Sequence, residues 1–215
     1  MAIYPQFCAL ARALELLGER WTLLIVRELL LGPKRFSDLK GRLDGISSSV
    51  LSQRLSRLEE DGLVQRSYLQ PPAASTVFEL TPQGRALKPA MFELIRWGGR
   101  FLYPARPNER REPEWASLVL RAYARKGNVP KRSFNVHLKE GAAEAVVNVR
   151  GTARGTRITP GPADADLTFS CGFEAVLGLM SGRVSAEQAL EKELAGIDGH
   201  VAALAEFPEM FELRG

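Results

Sequence analysis

Residues 34 to 66 place a helix, a tight turn and a second helix in quick succession, and that order restricts the fold more than any bulk property of the chain. Lys34-Arg35-Phe36-Ser37-Asp38-Leu39 opens a short capped helix, Asp44-Gly45-Ile46 supplies the turn, and Ser47 to Glu60 continue as the second helix. Leu51, Leu55 and Leu58 recur at helical spacing and should pack inward. Ser48, Ser49, Ser52, Gln53, Ser56 and Arg57 take the other side. A solvated surface helix is the plainer alternative, but such helices favour Glu and Lys outside because those residues cost little propensity. Here the outer positions are mostly serine, a poor helix former, and acidic residues wait until Glu59-Glu60-Asp61 at the far end. Small residues let a backbone approach a DNA major groove, while Gln and Arg can reach base edges or phosphates.

The segment after the second helix points the same way. Gly62 is a natural C′ residue for that helix. Leu63 to Tyr68 alternates like a strand, Pro71-Pro72-Ala73-Ala74-Ser75 interrupts it, and Val77-Phe78-Glu79-Leu80 returns. A hairpin directly after a recognition helix is the wing of a winged helix, with Arg66 and the hairpin tip near the phosphate backbone. Thr81-Pro82 then restarts a helix with an N-cap and a first-turn proline.

Residues 8 to 102 resemble the HxlR-type winged-helix transcriptional regulators. The matching residues include Cys8, Gly18-Glu19-Arg20-Trp21-Thr22-Leu23-Leu24-Ile25, Arg27-Glu28-Leu29, Arg35-Phe36-Ser37-Asp38-Leu39, Gly45-Ile46-Ser47, Leu51-Ser52-Gln53-Arg54-Leu55, Gly62-Leu63-Val64 and Leu80-Thr81-Pro82-Gln83-Gly84. The resemblance implies a homodimeric regulator of double-stranded DNA whose second motif helix enters the major groove. The residues expected at DNA are Lys34, Arg35, Ser47, Ser48, Ser49, Ser52, Gln53, Arg54, Arg57 and Arg66. It also implies that Cys8 can be a redox or electrophile sensor, with Arg12 one helical turn on as its basic neighbour. An inert, buried thiol is the plainer alternative.

Charge is distributed in keeping with this. Residues 1 to 103 hold 14 Lys+Arg and 10 Asp+Glu, whereas residues 104 to 215 hold 15 of each, so the whole net charge of +4 sits on the half expected at phosphate. The 2 cysteines stand far apart and offer neither a disulfide framework nor a CxxC zinc site. The first residues lack a signal-peptide pattern and no apolar run approaches the ~20 residues that span a bilayer, so no membrane is expected and the cytoplasm is the default.

Two helices should frame the reader, Phe7 to Leu17 and the nearly all-apolar Trp21 to Leu31. A third, from Pro82 to Leu102, carries Leu87, Met91, Leu94, Ile95, Trp97, Phe101 and Leu102, a wider apolar stripe than one small domain covers. It serves either to pack on the second half or, as the resemblance implies, to join two subunits. The expected domain organisation is a winged-helix DNA-binding and dimerisation domain over 1–103, a linker over 104–113 marked by three prolines and alternating charge, and a further domain over 114–215.

That last domain reads as α+β: a helix from Trp115 to Lys126, strands at Ser133–Leu138, Ala145–Arg150, Ala165–Cys171 and more weakly Gly155–Thr159, then helices at Phe173–Met180, Ser185–Leu194 and near Val201–Phe207. The run from Ala165 through Gly199-His200 resembles the sterol-carrier-protein-type fold, departing from it in an abbreviated strand at Gly196 to His200. The fold class is therefore α+β, an N-terminal winged helix-turn-helix domain with long flanking helices followed by a small sterol-carrier-like domain. The resemblance implies an apolar tunnel, for which Phe134, Val136, Val147, Phe169, Phe173, Val176, Leu177 and Met180 are the candidate lining and Phe207 and Phe211 the closure of one end. The same residues could simply be a core, leaving the domain an assembly role.

Nothing assembles an enzyme. The 2 histidines are His137, inside a strand, and His200. Gly151-Thr152-Ala153-Arg154-Gly155-Thr156-Arg157 lacks the strand–loop–helix context and the Gly-Lys-Ser/Thr ending of a phosphate loop, so it reads as a hairpin turn with solvated arginines. No nucleophile, base and oxyanion donors converge, and no cofactor or metal site is expected. The alternative function is an apolar-ligand carrier whose winged domain mainly mediates oligomerisation.

Overall fold

Pro89 decides how the first half of the chain ends. Its missing N–H would have bonded the carbonyl of Arg85, and its ring would crowd that carbonyl. The single helix expected from Pro82 to Leu102 is accordingly two, α5 (Pro82–Arg85) and α6 (Lys88–Gly99), with a turn at 86–87 between them. The computed structural model describes residues 4–72, 74–104, 106–199 and 201–213; His200 lies outside the described residues. Two compact units divide between Met91 and Phe92, so most of α6 belongs to the second unit.

The first unit runs α1 (Ala9–Leu17), α2 (Thr22–Leu30), α3 (Phe36–Arg42), α4 (Ser48–Glu60), β1 (Val64–Leu69), β2 (Ser75–Leu80) and α5. Ile25, Val26 and Leu29 of α2 form its centre, packed with Leu39, Leu51, Leu55, Leu58, Leu63 and Phe78. Each such side chain stabilises by roughly 1.5–3 kcal/mol when fully buried. The nearly all-apolar helix is buried along its Ile25, Val26 and Leu29 side, while Leu24 is 40% exposed and Glu28 on the inner side is 0% exposed. Glu28 is neutralised by Arg27 at 2.7 Å and Arg42 at 3.5 Å, which ties α2 to α3. A buried carboxylate is tolerated on those terms alone.

The second unit begins within α6 and continues through α7 (Pro113–Tyr123), β3 (Ser133–Glu140), β4 (Ala143–Thr152), β5 (Gly155–Pro160), β6 (Leu167–Cys171), α8 (Phe173–Met180), α9 (Ala186–Glu191) and β7 (Ala195–Gly199). Among its described residues the connection over 100–112 holds turns but no regular element, and the helix after it starts at Pro113, earlier than expected, because proline suits a first helical turn. The expected α+β order is present. The sheet order is β5-β4-β3-β6-β7, antiparallel except for the β3–β6 pair. The strand expected to be abbreviated pairs in full, from Leu167↔Gly199 to Cys171↔Ala195. The final helix is instead 3₁₀ over Val201–Glu206. The Gly-rich segment is the β4–β5 turn, where Thr152 Oγ1 donates to the Gly155 carbonyl at 2.7 Å.

The tunnel lining is corrected by this packing. Phe134, Val136, Val147, Phe169 and Val176 are at most 2% exposed and belong to one continuous core, with Phe173 packed against it. Phe207 does not close an end but fills the middle, meeting Phe134, Phe169 and Phe211 edge-on at 5.3, 5.2 and 5.0 Å. Aromatic edges and faces attract in this arrangement, so a filled centre wins over a tube. Leu177 and Met180 sit at the margin of that core, where they also border an open cavity.

Candidate nucleic-acid interface

The reader is assembled from local signals that each have a visible cause. Asp38 Oδ2 accepts the backbone N–H of Arg35 at 2.9 Å and starts α3. Gly45 adopts φ +88°, which lets the turn close and brings Ile46, 2% exposed, under the next helix. Ser47 caps α4 by accepting the Val50 N–H at 3.2 Å. At the other end the Leu63 N–H reaches the Leu58 carbonyl and the Gly62 N–H the Glu59 carbonyl, at 2.9 and 3.0 Å, with Gly62 at φ +70°. Those two bonds make a Schellman motif, which stops the helix and aims the chain into β1.

α4 sorts its faces as its spacing requires. Leu51, Leu55 and Leu58 are at most 1% exposed, while Ser48, Ser49, Ser52, Gln53, Ser56 and Arg57 are exposed. β1 and β2 form the next element, an antiparallel hairpin running from Val64↔Leu80 to Leu69↔Ser75. Lys34 joins it through a two-way backbone bridge with Phe78, at 3.0 and 2.8 Å, which fixes the start of α3 against the wing. Arg35 strengthens the join by donating from Nε to Ser75 Oγ at 2.8 Å. Neither tie can be seen in local pattern, because the partners lie about forty residues apart in the chain.

The ten residues expected at DNA therefore divide into groups. Ser48, Ser49, Ser52 and Gln53 present an open polar surface on the outer side of α4. Ser47 shares that edge, but its hydroxyl oxygen is already engaged as the cap and lies 3.0 Å from Ser49 Oγ. Arg54 turns away from the outer face: its side chain is 19% exposed and its guanidinium meets Glu19 at 2.8 Å, pinning α4 to the α1–α2 turn. Arg57 is drawn along the helix to Glu60 and Asp61, both at 3.1 Å. Arg66 is held on the outer side of β1 by Glu59 at 2.9 Å, with its guanidinium over the Phe78 ring. Sequence pattern misses these carboxylate partners, since only the fold brings Glu19 and Glu59 to the arginines.

Cys8 is exposed and stands just ahead of α1. Its expected basic neighbour is committed elsewhere, because the Arg12 guanidinium binds Glu15 at 3.0 Å and only the Arg12 backbone N–H reaches the Cys8 carbonyl. Arg12, and then the Tyr4 backbone N–H, hold the Glu15 carboxyl below its ordinary range. The other thiol, Cys171, is buried in the second unit, where desolvation and then Glu140 push its pKa up to about 12. Among the described residues no group of His, Cys, Asp and Glu could hold a metal ion, and no helix is long and apolar enough to cross a membrane.

Comparison with known proteins gives this geometry its context. Residues 16–106 match the model of the HxlR-like helix-turn-helix family. YvaP of Bacillus subtilis, an uncharacterised HTH-type transcriptional regulator, is 36% identical over 94 residues, which is 44% of this chain and 87% of that protein. The HTH-type transcriptional regulator YodB of the same organism is 36% identical over 92 residues, covering 43% and 82%. The solved structure of reduced YodB aligns at 33% identity over 47% of this chain and 100% of that one, with a TM-score of 0.40. Residues 107–215 lie outside the matched family model.

Proposed function

Because the chain belongs to the HxlR-like helix-turn-helix family of transcriptional regulators, we propose that it reads a specific DNA sequence as a two-fold dimer. Its relatives are HTH-type transcriptional regulators, and the chain is not an enzyme. The observation that carries the reading is the outer face of α4, where Ser48, Ser49, Ser52 and Gln53 stand exposed opposite Leu51, Leu55 and Leu58, beside a hairpin wing. That face is short, polar and free of acidic side chains at its N-terminal end, as a major-groove helix needs. Gln53 reads base edges with the serines. Arg57 and Arg66 exchange their carboxylate partners for phosphate, and Lys34 and Arg35 flank the backbone. Arg54 acts through the fold, by positioning α4.

A pseudo-palindromic operator with half-sites ~34–36 Å apart, or a multiple, is the counterpart of two-fold symmetry. Support for the dimer comes from exposed apolar side chains on and just after α6: Leu94, Trp97 and Phe101 are 47%, 61% and 66% exposed, larger than an isolated surface tolerates comfortably. Cys8 is the thiol through which oxidants or electrophiles reach the regulator, and unchanged operator affinity after diamide treatment, with Cys8→Ser as reference, rules that out. The unit from Phe92 onward takes a small apolar effector. The deciding experiment selects bound fragments from random DNA and titrates them by gel shift. Gln53→Ala combined with Arg57→Ala abolishes the specific shift; retention of it overturns the assignment of α4.

A further inference from the structure

A cavity of about 520 Å³ opens in the second unit between the end of α6, α7 and α8, within the ~300–1,000 Å³ range of small-molecule sites. Its apolar walls come from Val119, Leu177 and Met180, and around them Leu102, Leu194 and Leu213 remain 42%, 39% and 44% exposed. These exposed leucines converge on one hollow, so an apolar body placed there would cover surface that the chain leaves in water.

The charges on the lining are lopsided. Arg96, Arg100 and Arg183 border the cavity against one carboxylate, Glu174, and that carboxylate is already matched by Arg111 at 2.5 Å. Arg96 also pairs with Glu93, and the Arg183 guanidinium lies 5.4 Å from the Tyr103 ring centre. Tyr123 crosses the wall and donates its hydroxyl to the Arg96 carbonyl at 3.2 Å, which Gly99 permits because a Cβ there would lie 2.8 Å from that oxygen. Guanidinium groups bind carboxylates with directional, charge-assisted hydrogen bonds, and more strongly beside apolar walls than in open water.

We infer that this cavity binds an apolar monocarboxylate, its hydrocarbon on Val119, Leu177 and Met180 and its carboxylate among Arg96, Arg100 and Arg183. The inference rests on the reading of the second unit as an effector-binding unit. It differs in place from the aromatic core around Phe207, which is filled.

Isothermal titration of the full chain, without DNA, tests it using decanoate, 2-naphthoate and uncharged decanol. Saturable binding of either carboxylate at one per chain is expected, at least tenfold tighter than decanol. Arg183→Glu, a change at an exposed position, lowers carboxylate affinity at least tenfold and leaves decanol unaffected. Val119→Trp, checked for its fold by circular dichroism, removes both. No saturable binding by either carboxylate, equal binding of decanol, or indifference to Arg183→Glu overturns the inference. The DNA-binding reading is judged separately by gel shift, so a silent titration with an intact operator complex removes this site alone. Binding that leaves operator affinity unchanged upholds the site and removes its regulatory use.

Discussion

Gly84 lies so close to Leu63 that a Cβ at position 84 would sit 2.0 Å from the Leu63 carbonyl oxygen. The same carbonyl accepts the Thr81 N–H at 3.0 Å, and Thr81 Oγ1 donates to the Gly62 carbonyl at 2.6 Å. The start of α5 is thus clamped onto the junction between the reading helix and the wing. Gly84→Ala must push backbone against backbone, and we expect it to destabilise the first unit by about 1–3 kcal/mol. Gly41→Ala, inside α3 with nothing within 4 Å of the added Cβ, should instead stabilise by about 0.4–1 kcal/mol. Urea unfolding of the two variants checks both signs.

The Glu59–Arg66 pair holds one of the wing's cations beside α4 at 2.9 Å. Exposed ion pairs contribute little stability, so Glu59→Gln should leave the unfolding midpoint nearly unchanged. It should also remove the competitor for Arg66 and a repulsive charge close to DNA. The expected outcome is tighter binding to all DNA sequences with the log–log salt slope little changed, since Arg66 meets phosphate in both, whereas Arg66→Ala should lower that slope by about one. A salt titration of operator and random DNA, alongside Arg66→Ala, measures it.

Trp97 and Phe101 meet edge-on at 5.0 Å while remaining 61% and 66% exposed. If the proposed dimer forms through this patch, Trp97→Glu with Phe101→Glu should yield monomer in light scattering where the parent chain gives a dimer. Operator affinity should fall with it, since each half-site would then be bound singly. Secondary structure should persist, because neither side chain belongs to the buried cores.

The two thiols should behave oppositely toward iodoacetamide, an electrophile that the thiolate attacks with loss of iodide. At pH 8 the native protein should take one label, at exposed Cys8, and a second at Cys171 only after unfolding in urea. Burial raises the Cys171 pKa from 9.0 to about 12, so the folded state holds its proton more tightly than the unfolded state does. Its contribution to stability is complete below about pH 9 and is lost progressively as pH rises toward about 12. Denaturant midpoints across that window should fall less for Cys171→Ala than for the parent chain.

Local pattern determined the individual elements of the helix-turn-helix and its hairpin. The helical period of Leu51, Leu55 and Leu58, the cap at Ser47, Gly62 at the helix end and the interrupted alternation from Leu63 to Leu80 each act over a few residues. Short-range geometry and burial therefore force them wherever the rest of the chain goes. The strand order of the second half was visible on the same grounds. Tertiary structure decided everything that depends on residues distant in sequence. It gave Glu19 to Arg54 and Glu59 to Arg66, and joined Lys34 to Phe78. It also turned the expected tunnel residues into a filled core around Phe207. Hydrophobic side chains are alike in a sequence whether they line a hollow or fill it, because burial rewards both. Only close packing of Phe134, Phe169 and Phe207 in space separates the two, and it left the open hollow beside Val119, Leu177 and Met180 instead.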